Sequence, residues 1–537
     1  MGWHCFVWPA LAQTDCTHFI DTDVQVIDGQ GFEPGDVICL YPGLRSFLLF
    51  NNLNGTVENP ITIVNTIGQV VIDTDHFYGV KFSHCSHIRF TGSGSDQIDH
   101  GIYIRRVGSG AGISVDDLST NFELDHLRIA NTALGGIYVK TDPDCSFAAT
   151  RDNFTFTHLA IHNCWLHDIQ DEGFYIGSAK YTGQYLPDCD TTVLPHLLEH
   201  VHIYNNLVER TGWDGIQVSS SPVDCEIYGN TIIGDSWRET PFQMSGILIG
   251  GGSKCDCYNN KIFDGKGDGI DIFGSGHMRI YNNLIIRAGR QFMPNDPNQP
   301  KHGIFVGNAP DNSSASLKIM HNTIVSPKTT GVRFNNSHTD ENLFINNIIV
   351  DPGGWEQMND NAFFDHQLPA GNYTQSHNFL DHSIEKVHFI NPATNDYDLQ
   401  PHSPAINKAL VLNDQQIDFD IDWRPRPHNE GYDIGAFECQ DPFASADVLN
   451  PALSGFSVQP NPAKKQALLK IHVLESSLTD IRIMDANGRM VYLREGLQLL
   501  SGQNNYLLHL QHLDSGLHAI HLIINGQPLS RTFILLP

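Results

Sequence analysis

IYNNLVERTGWDGIQV, residues Ile203–Val218, is a phrase that this chain repeats with variations. Its first half returns as IYGN at Ile227–Asn230, CYNN at Cys257–Asn260 and IYNN at Ile280–Asn283, and more loosely as IMHN at Ile319–Asn322 and FINN at Phe344–Asn347. Its second half returns as GIYV from Gly136, GFYI from Gly173, GILI from Gly246, GIDI from Gly269, GIFV from Gly303 and GVRF from Gly331. Both halves alternate apolar with other residues at period two, which is the signature of strands and not of helices. A unit this short cannot bury its apolar side alone, so each must stack on the next. The step from the last residue of the Asn phrase to the following Gly is nine residues at Cys164→Gly173, Asn206→Gly215, Asn260→Gly269 and Asn322→Gly331. It grows to 16 at Asn230→Gly246 and 20 at Asn283→Gly303. A fixed minimum with occasional excess describes a coil of constant geometry carrying insertions on one side. The fold expected is all-β, a parallel β-helix solenoid.

Composition sets the outer limits. The 537 residues exceed one ordinary domain, and 40% hydrophobic with 17% charged is a folded, soluble balance. Net charge is −28, which argues against nucleic acid or an anionic membrane as partner. No stretch is long enough to span a bilayer as a helix. Residues 1–12, MGWHCFVWPALA, carry a short apolar segment ending in Ala-Leu-Ala and are expected to be the remnant of a signal peptide. The eleven Cys form no CxxC…CxxC metal pattern. Cys225 and Cys255 fall in one column on successive coils, which suits either a disulfide or two core thiols. The Asn column (Asn206, Asn230, Asn260, Asn283, Asn322, Asn347) is read as scaffold, its amides bonding from coil to coil.

The repeat sets the domain limits. The solenoid is expected over 13–440, with Tyr397–Ile406 and Tyr432–Glu438 closing its C-terminal end, then a Pro-containing linker over 441–454. Residues 455–537 change character, with alternating strands such as LLKIHV and the turn DANGR, and read as a small β-sandwich.

Both parts resemble known families. PNPAKK at Pro460–Lys465, DANGR at Asp485–Arg489, LDSGLHAIHL at Leu513–Leu522 and a terminal TFILLP resemble the type IX secretion sorting domain of Bacteroidetes. The resemblance implies passage through the periplasm and outer membrane, with the secretion machinery as partner, to a secreted or surface-attached state. The solenoid resembles the pectate-lyase-like superfamily of right-handed parallel β-helices, down to the SPAI…YDIGAFE ending. That resemblance implies a polysaccharide partner and either lyase or hydrolase chemistry; non-catalytic adhesins share the fold, so function rests on a site. A monomer is expected.

Indexing each coil by its Gly-Ile-x-Ile strand locates the candidate site. The outward position reads Tyr138, Tyr175, Gln217, Leu248, Asp271, Phe305, Arg333 up the solenoid, and the next outward position begins at Lys140. The turn position before the Gly reads Gly135, Glu172, Asp214, Ser245, Asp268, His302, Thr330. Glu172, Asp214, Asp268 and Asp271 are the candidate catalytic carboxylates. Tyr138, Lys140, Tyr175, Gln217, Phe305 and Arg333 are the candidate substrate contacts. Stacked at about 4.8 Å per coil, the acids cannot all stay ionised unaided. One is protonated and serves as a general acid, as in glycoside hydrolysis, or calcium sits between Glu172 and Asp214, as suits a lyase. The Asp-Gly-Ile phrases at Asp214 and Asp268 are similar to an element of polygalacturonase-type hydrolases, whose wider signature is missing here. Trp165 and Trp213 are further candidates as sugar platforms, His167, His277 and His302 as acid/base groups, and the insertions 178–200 and 288–301 as walls of the cleft.

Overall fold

The computed structural model describes residues 15–296, 298–308, 316–337, 341–354, 362–412, 417–428, 431–440, 453–459, 463–473, 476–485, 490–500, 502–513, 515–524 and 527–536. The expected signal segment 1–12 and residues 441–452 of the expected linker lie outside them. The chain divides into two compact units, Met1–Gln440 and Asp441–Pro537.

The first unit winds through three parallel sheets of 13, 12 and 12 strands, and in each sheet successive coils are neighbours. The first sheet holds the strands that end in the Asn phrase, such as Leu197–Tyr204 and Cys255–Tyr258. The second holds those just after it, such as Leu207–Thr211 and Lys261–Phe263. The third holds the Gly-Ile-x-Ile strands, including Phe174–Ile176, Ile216–Val218, Ser245–Ile249, Asp268–Ile272 and Ile304–Val306. Inward residues of all three sheets, Ile203, Val208, Ile216, Val218, Ile270 and Ile272 among them, share one buried core. The repeated Gly has a steric reason. A Cβ on Gly215 would stand 2.6 Å from the Gly246 carbonyl oxygen, and one on Gly173 would stand 2.4 Å from that of Gly215. The turn can stack this closely only without a side chain there.

The Asn column forms a continuous ladder. Asn206 Nδ2 donates to Asn230 Oδ1 (3.0 Å), Asn230 to Asn260 (3.0 Å), Asn260 to Asn283 (3.1 Å), Asn283 to Asn322 (3.0 Å) and Asn322 to Asn347 (3.0 Å). Each Oδ1 also accepts the backbone N–H of the Asn one coil below, so a buried turn is satisfied without water. Beside it, the rings of Tyr204, Tyr228, Tyr258 and Tyr281 stack at 4.8–4.9 Å. Cys225 and Cys255 are disulfide-bonded, as are Cys16–Cys39 and Cys145–Cys189, whereas Cys85, Cys164 and Cys257 are buried free thiols and Cys439 is buried. The disulfides suit a chain that folds outside the reducing cytosol.

The stretch between the two closing phrases lies back along the side of the solenoid: Asn259, Asn282 and Asn346, on three different coils, donate through their side chains to the carbonyls of Asp420, Phe419 and Leu410. The outward Asn of each turn supplies the donor, so the phrase that builds the ladder also docks this segment. The second unit is a sandwich of a three-stranded and a four-stranded antiparallel sheet. Phe456, Leu469, Ile471, Ile481, Ile483, Ile520 and Phe533 are buried in its core. Among the described residues no helix is long and apolar enough to cross a membrane.

Candidate functional site

The third sheet keeps strict register. Tyr138 pairs with Tyr175, Tyr175 with Gln217, Gln217 with Leu248, Leu248 with Asp271, Asp271 with Phe305 and Phe305 with Arg333. The turn column is equally regular. The carbonyls of Glu172, Asp214, Ser245, His302 and Thr330 each accept the N–H of the glycine one coil below, and Ser245 pairs directly with Asp268. Outward side chains lean back over the turn residue three positions earlier. Tyr138 Oη accepts the Gly135 N–H at 3.0 Å, and Phe305 stacks on His302 with ring centroids 5.6 Å apart. The two columns therefore form one strip along the solenoid.

The middle of that strip is acidic and mostly buried, with Asp271 partly exposed. Glu172, Asp214 and Gln217 are each 1% exposed. Among the described residues, both Glu172 oxygens, Asp214 Oδ2, both Gln217 amide atoms and Asp271 Oδ1 are buried without a hydrogen-bond partner. Native interiors rarely leave such groups unpaired, so a run of them marks a place built to meet something else. Burial pushes the Glu172 carboxyl up to about 8, with the Asp214 and Asp171 charges adding to the effect. Burial likewise pushes Asp214 up to about 7, against the hydrogen bond it accepts from Ser245 Oγ at 2.7 Å. Asp271 is raised well above the usual carboxylate range by burial and by the neighbouring Asp268 charge.

Lys301 ties the acids together. Its ammonium sits 2.7 Å from Asp268 Oδ2 and donates to the Met244 carbonyl at 3.2 Å, while the His302 backbone N–H serves Asp268 Oδ1. The Asp268 and Asp271 charges outweigh the burial of Lys301 and hold its pKa above the ordinary lysine value. Asp235, buried in the turn just before, is pushed up to about 6 by desolvation. His302 is buried and pushed down to about 4, so it is neutral at physiological pH. Neither Lys301 nor Asp235 was singled out from the sequence. Both sit in the insertions that lengthen the Asn-to-Gly gap, where the repeat gives no register. The available signal was that Lys301 immediately precedes a turn-column residue.

Aromatic and charged side chains flank the acids. On one side Tyr138 and Tyr175 meet edge to face at 5.5 Å, with the Lys140 ammonium 5.0 Å from the Tyr175 ring and paired with Asp142 at 2.9 Å. On the other side Phe305 contacts Phe273 at 6.0 Å, and Arg333 pairs with Asp365. The remaining candidates disperse. Trp165 lies on the second sheet and donates Nε1–H to Glu209 at 2.7 Å, and His167, on the same strand, contacts Asp168 at 2.7 Å. His277 is an exposed residue of the first sheet. Trp213 sits beside Asp214 with its Nε1–H buried and unpartnered. The insertion 178–200 leaves the strand end opposite the turn column. Its Tyr181 packs where a Cβ on Gly252 would be, beyond the opposite ends of the strands, because Gly250–Gly252 leave room for a ring. The insertion 288–301 does reach the acids, through Lys301.

Between Glu172 and Asp214, where calcium is the expectation, both Glu172 oxygens and Asp214 Oδ2 have no hydrogen-bond partner among the described residues, and Asp214 Oδ1 accepts from Ser245. Among the described residues, the group of three His, Cys, Asp or Glu ligand atoms within 4.8 Å of one another is Glu123, Asp125 and His162, on the first sheet. There the Arg89 guanidinium lies 3.3 Å from Glu123 and 3.1 Å from Asp125, in the place a cation would take.

Residues 197–366 match the family described as right handed beta helix region, and residues 457–535 match the secretion system C-terminal sorting domain. Among solved structures the chain is similar to a GH136 lacto-N-biosidase from Eubacterium ramulus (14% identity, 68% of each chain covered, TM-score 0.44). It is also similar to a PL6 family polysaccharide lyase from Pseudopedobacter saltans (14% identity, 70% of this chain and 96% of that one, TM-score 0.36). A third is the enzymatically active domain of a bacteriophage CBA120 tailspike protein (11% identity, 94% and 71% covered, TM-score 0.33). No curated protein matches. The chain is a right-handed parallel β-helix protein that carries a type IX C-terminal sorting domain for secretion or cell-surface attachment.

Proposed function

We propose that the strip is the active site of a secreted glycoside hydrolase acting on a neutral polysaccharide. The observation that carries this reading is the run of buried, unpartnered polar atoms on Glu172, Asp214, Gln217 and Asp271, beside an Asp268 whose charge Lys301 balances. Hydrolysis of a glycosidic bond uses two carboxyl groups in different environments, one protonated and one not. Asp271, whose carboxyl burial and the neighbouring Asp268 charge raise well above the ordinary range, is assigned as the general acid. Asp268, with an ammonium on one oxygen and an N–H on the other, is assigned as the base or nucleophile. The buried Glu172, Asp214 and Gln217 set the polarity behind the partly exposed Asp271, and Tyr175 and Phe305 offer ring faces on either side.

β-Elimination is disfavoured. It requires cations to neutralise a uronate, and here Lys301, Lys140 and Arg333 are each paired with a carboxylate. An acidic strip on a chain of net charge −28 also repels a polyuronate.

The test incubates the purified full chain with neutral and uronate-containing polysaccharides, with calcium or with EDTA. New reducing ends from a neutral polymer, without the ultraviolet absorbance of an unsaturated product and undiminished by EDTA, support hydrolysis. Asp268→Asn and Asp271→Asn should each lower that rate by about a hundredfold or more. An unsaturated product, or full turnover by both variants, overturns the assignment. Binding without turnover in the wild type identifies a glycan-binding surface protein instead.

A further inference from the structure

A second concavity lies across the same turns from the acidic strip. It follows the C-terminal ends of second-sheet strands, has a volume of about 620 Å³, and is lined by Arg106, Asn131, Asp168, Gln170, Arg210 and Trp237 among others. That volume is within the range of small-ligand sites. Gln170 stands two residues before Glu172 in the chain, and Trp237 two residues after Asp235.

Its most exposed aromatic stands on a well-bonded backbone. Trp237 is 42% exposed, yet the backbone around it is bonded like one more rung of the coil. Ser236 N–H donates to the Trp213 carbonyl (3.0 Å), Trp237 N–H to that of Thr211 (3.1 Å) and Arg238 N–H to that of Gly212 (3.1 Å). The Arg238 guanidinium also bonds Asp171 at 2.9 Å. The indole carried on this well-bonded backbone leaves apolar surface in water for no packing gain. The charges around it are balanced within the wall. Arg210 is bidentate on Asp168 at 2.7 and 3.0 Å, Arg106 bonds Asp73 at 2.9 Å and Asp75 at 2.6 Å, and Arg105 pairs with Asp73 at 2.8 Å. A concavity with an exposed aromatic, planar polar groups and charges balanced within its wall matches a neutral saccharide, which presents an apolar ring face and a rim of hydroxyls.

We propose that this concavity is an accessory binding site for a neutral saccharide chain, with Trp237 as its stacking platform. The site holds sugar whether or not the acidic strip cleaves it, so it stands apart from the catalytic assignment.

The experiment places the full chain, and separately Asp271→Asn, Trp237→Ala and Trp237→Phe, on an array of neutral polysaccharides and their hexasaccharides, and measures affinity for the best ligand by calorimetry. Wild type and Asp271→Asn should bind alike, Trp237→Ala about tenfold more weakly, and Trp237→Phe close to wild type, all with unchanged unfolding midpoints. Trp237→Ala should leave the rate on a soluble short substrate unchanged. Undiminished binding by Trp237→Ala, or no neutral saccharide bound by the wild type, overturns the proposal. Loss of turnover in Asp271→Asn with binding intact separates this outcome from any failure of the hydrolase assignment.

Discussion

Asp214→Asn should make the protein more stable above neutral pH, by an amount that the burial of the carboxyl sets. The folded state holds this group at about 7 against an ordinary value of 3.8, because burial strips the carboxylate of water. Between those two values the unfolded chain releases the proton and the folded chain keeps it, so folding loses about 1.4 kcal/mol per pH unit. Three units give an upper figure of about 4 kcal/mol, and relaxation and water entry reduce it to about 2–3 kcal/mol. The sign is that of a raised acid. The cost is absent below about pH 4, grows as pH rises towards 7, and is constant beyond. Asparagine keeps the shape and cannot ionise, so the variant should equal the wild type near pH 4 and exceed it at pH 8. Urea unfolding followed by tryptophan fluorescence at pH 4, 6 and 8 reads the difference directly, and relief of Glu172 and Asp271 from the Asp214 charge adds to the gain at pH 8. A difference that does not change with pH, or a variant less stable at pH 8, would refute the reasoning. Under the proposed function the same variant loses turnover, which places Asp214 among sites that trade stability for activity.

Three further outcomes follow from the geometry. Asn260→Ala removes the acceptor of the Asn230 backbone N–H and the donor to the Ile227 carbonyl, and should cost about 3 kcal/mol by urea midpoint. Replacing Cys225 and Cys255 by Ala opens a 30-residue separation between coils and should lower stability by about 2–4 kcal/mol, as should reduction of the wild type at this bridge. Lys301→Met leaves Asp268 without its ammonium among other buried acids. Its loss of stability should therefore be larger at pH 8 than at pH 5, and Lys301→Arg should recover most of it.

The solenoid was legible because its constraint is local and repeated. Each coil needs a glycine where a Cβ would meet the carbonyl below, an Asn to satisfy the turn, and apolar residues at alternate positions, so the letters recur at fixed spacing. Register follows from that spacing, which is why Tyr138 through Arg333 and Glu172 through Thr330 stand in the columns that the phrases define. What the repeat does not encode was not legible. Lys301 and Asp235 lie in insertions, whose paths depend on packing of unlike residues. The path of the stretch between the closing phrases, along the side of the coils, depends on single bonds from Asn259, Asn282 and Asn346, each of which reads in sequence as one more turn residue. Burial of Glu172 and Gln217 was equally hidden, since turn and outward strand positions are ordinarily wet.

A crystal structure of the Asp271→Asn variant soaked with a neutral hexasaccharide that the wild type cleaves tests the central claim most directly. Sugar should lie along the third sheet between Tyr175 and Phe305, with a glycosidic oxygen within hydrogen-bond reach of the substituted amide and a ring carbon facing Asp268. Sugar seated on another sheet, with none on this strip, would contradict it.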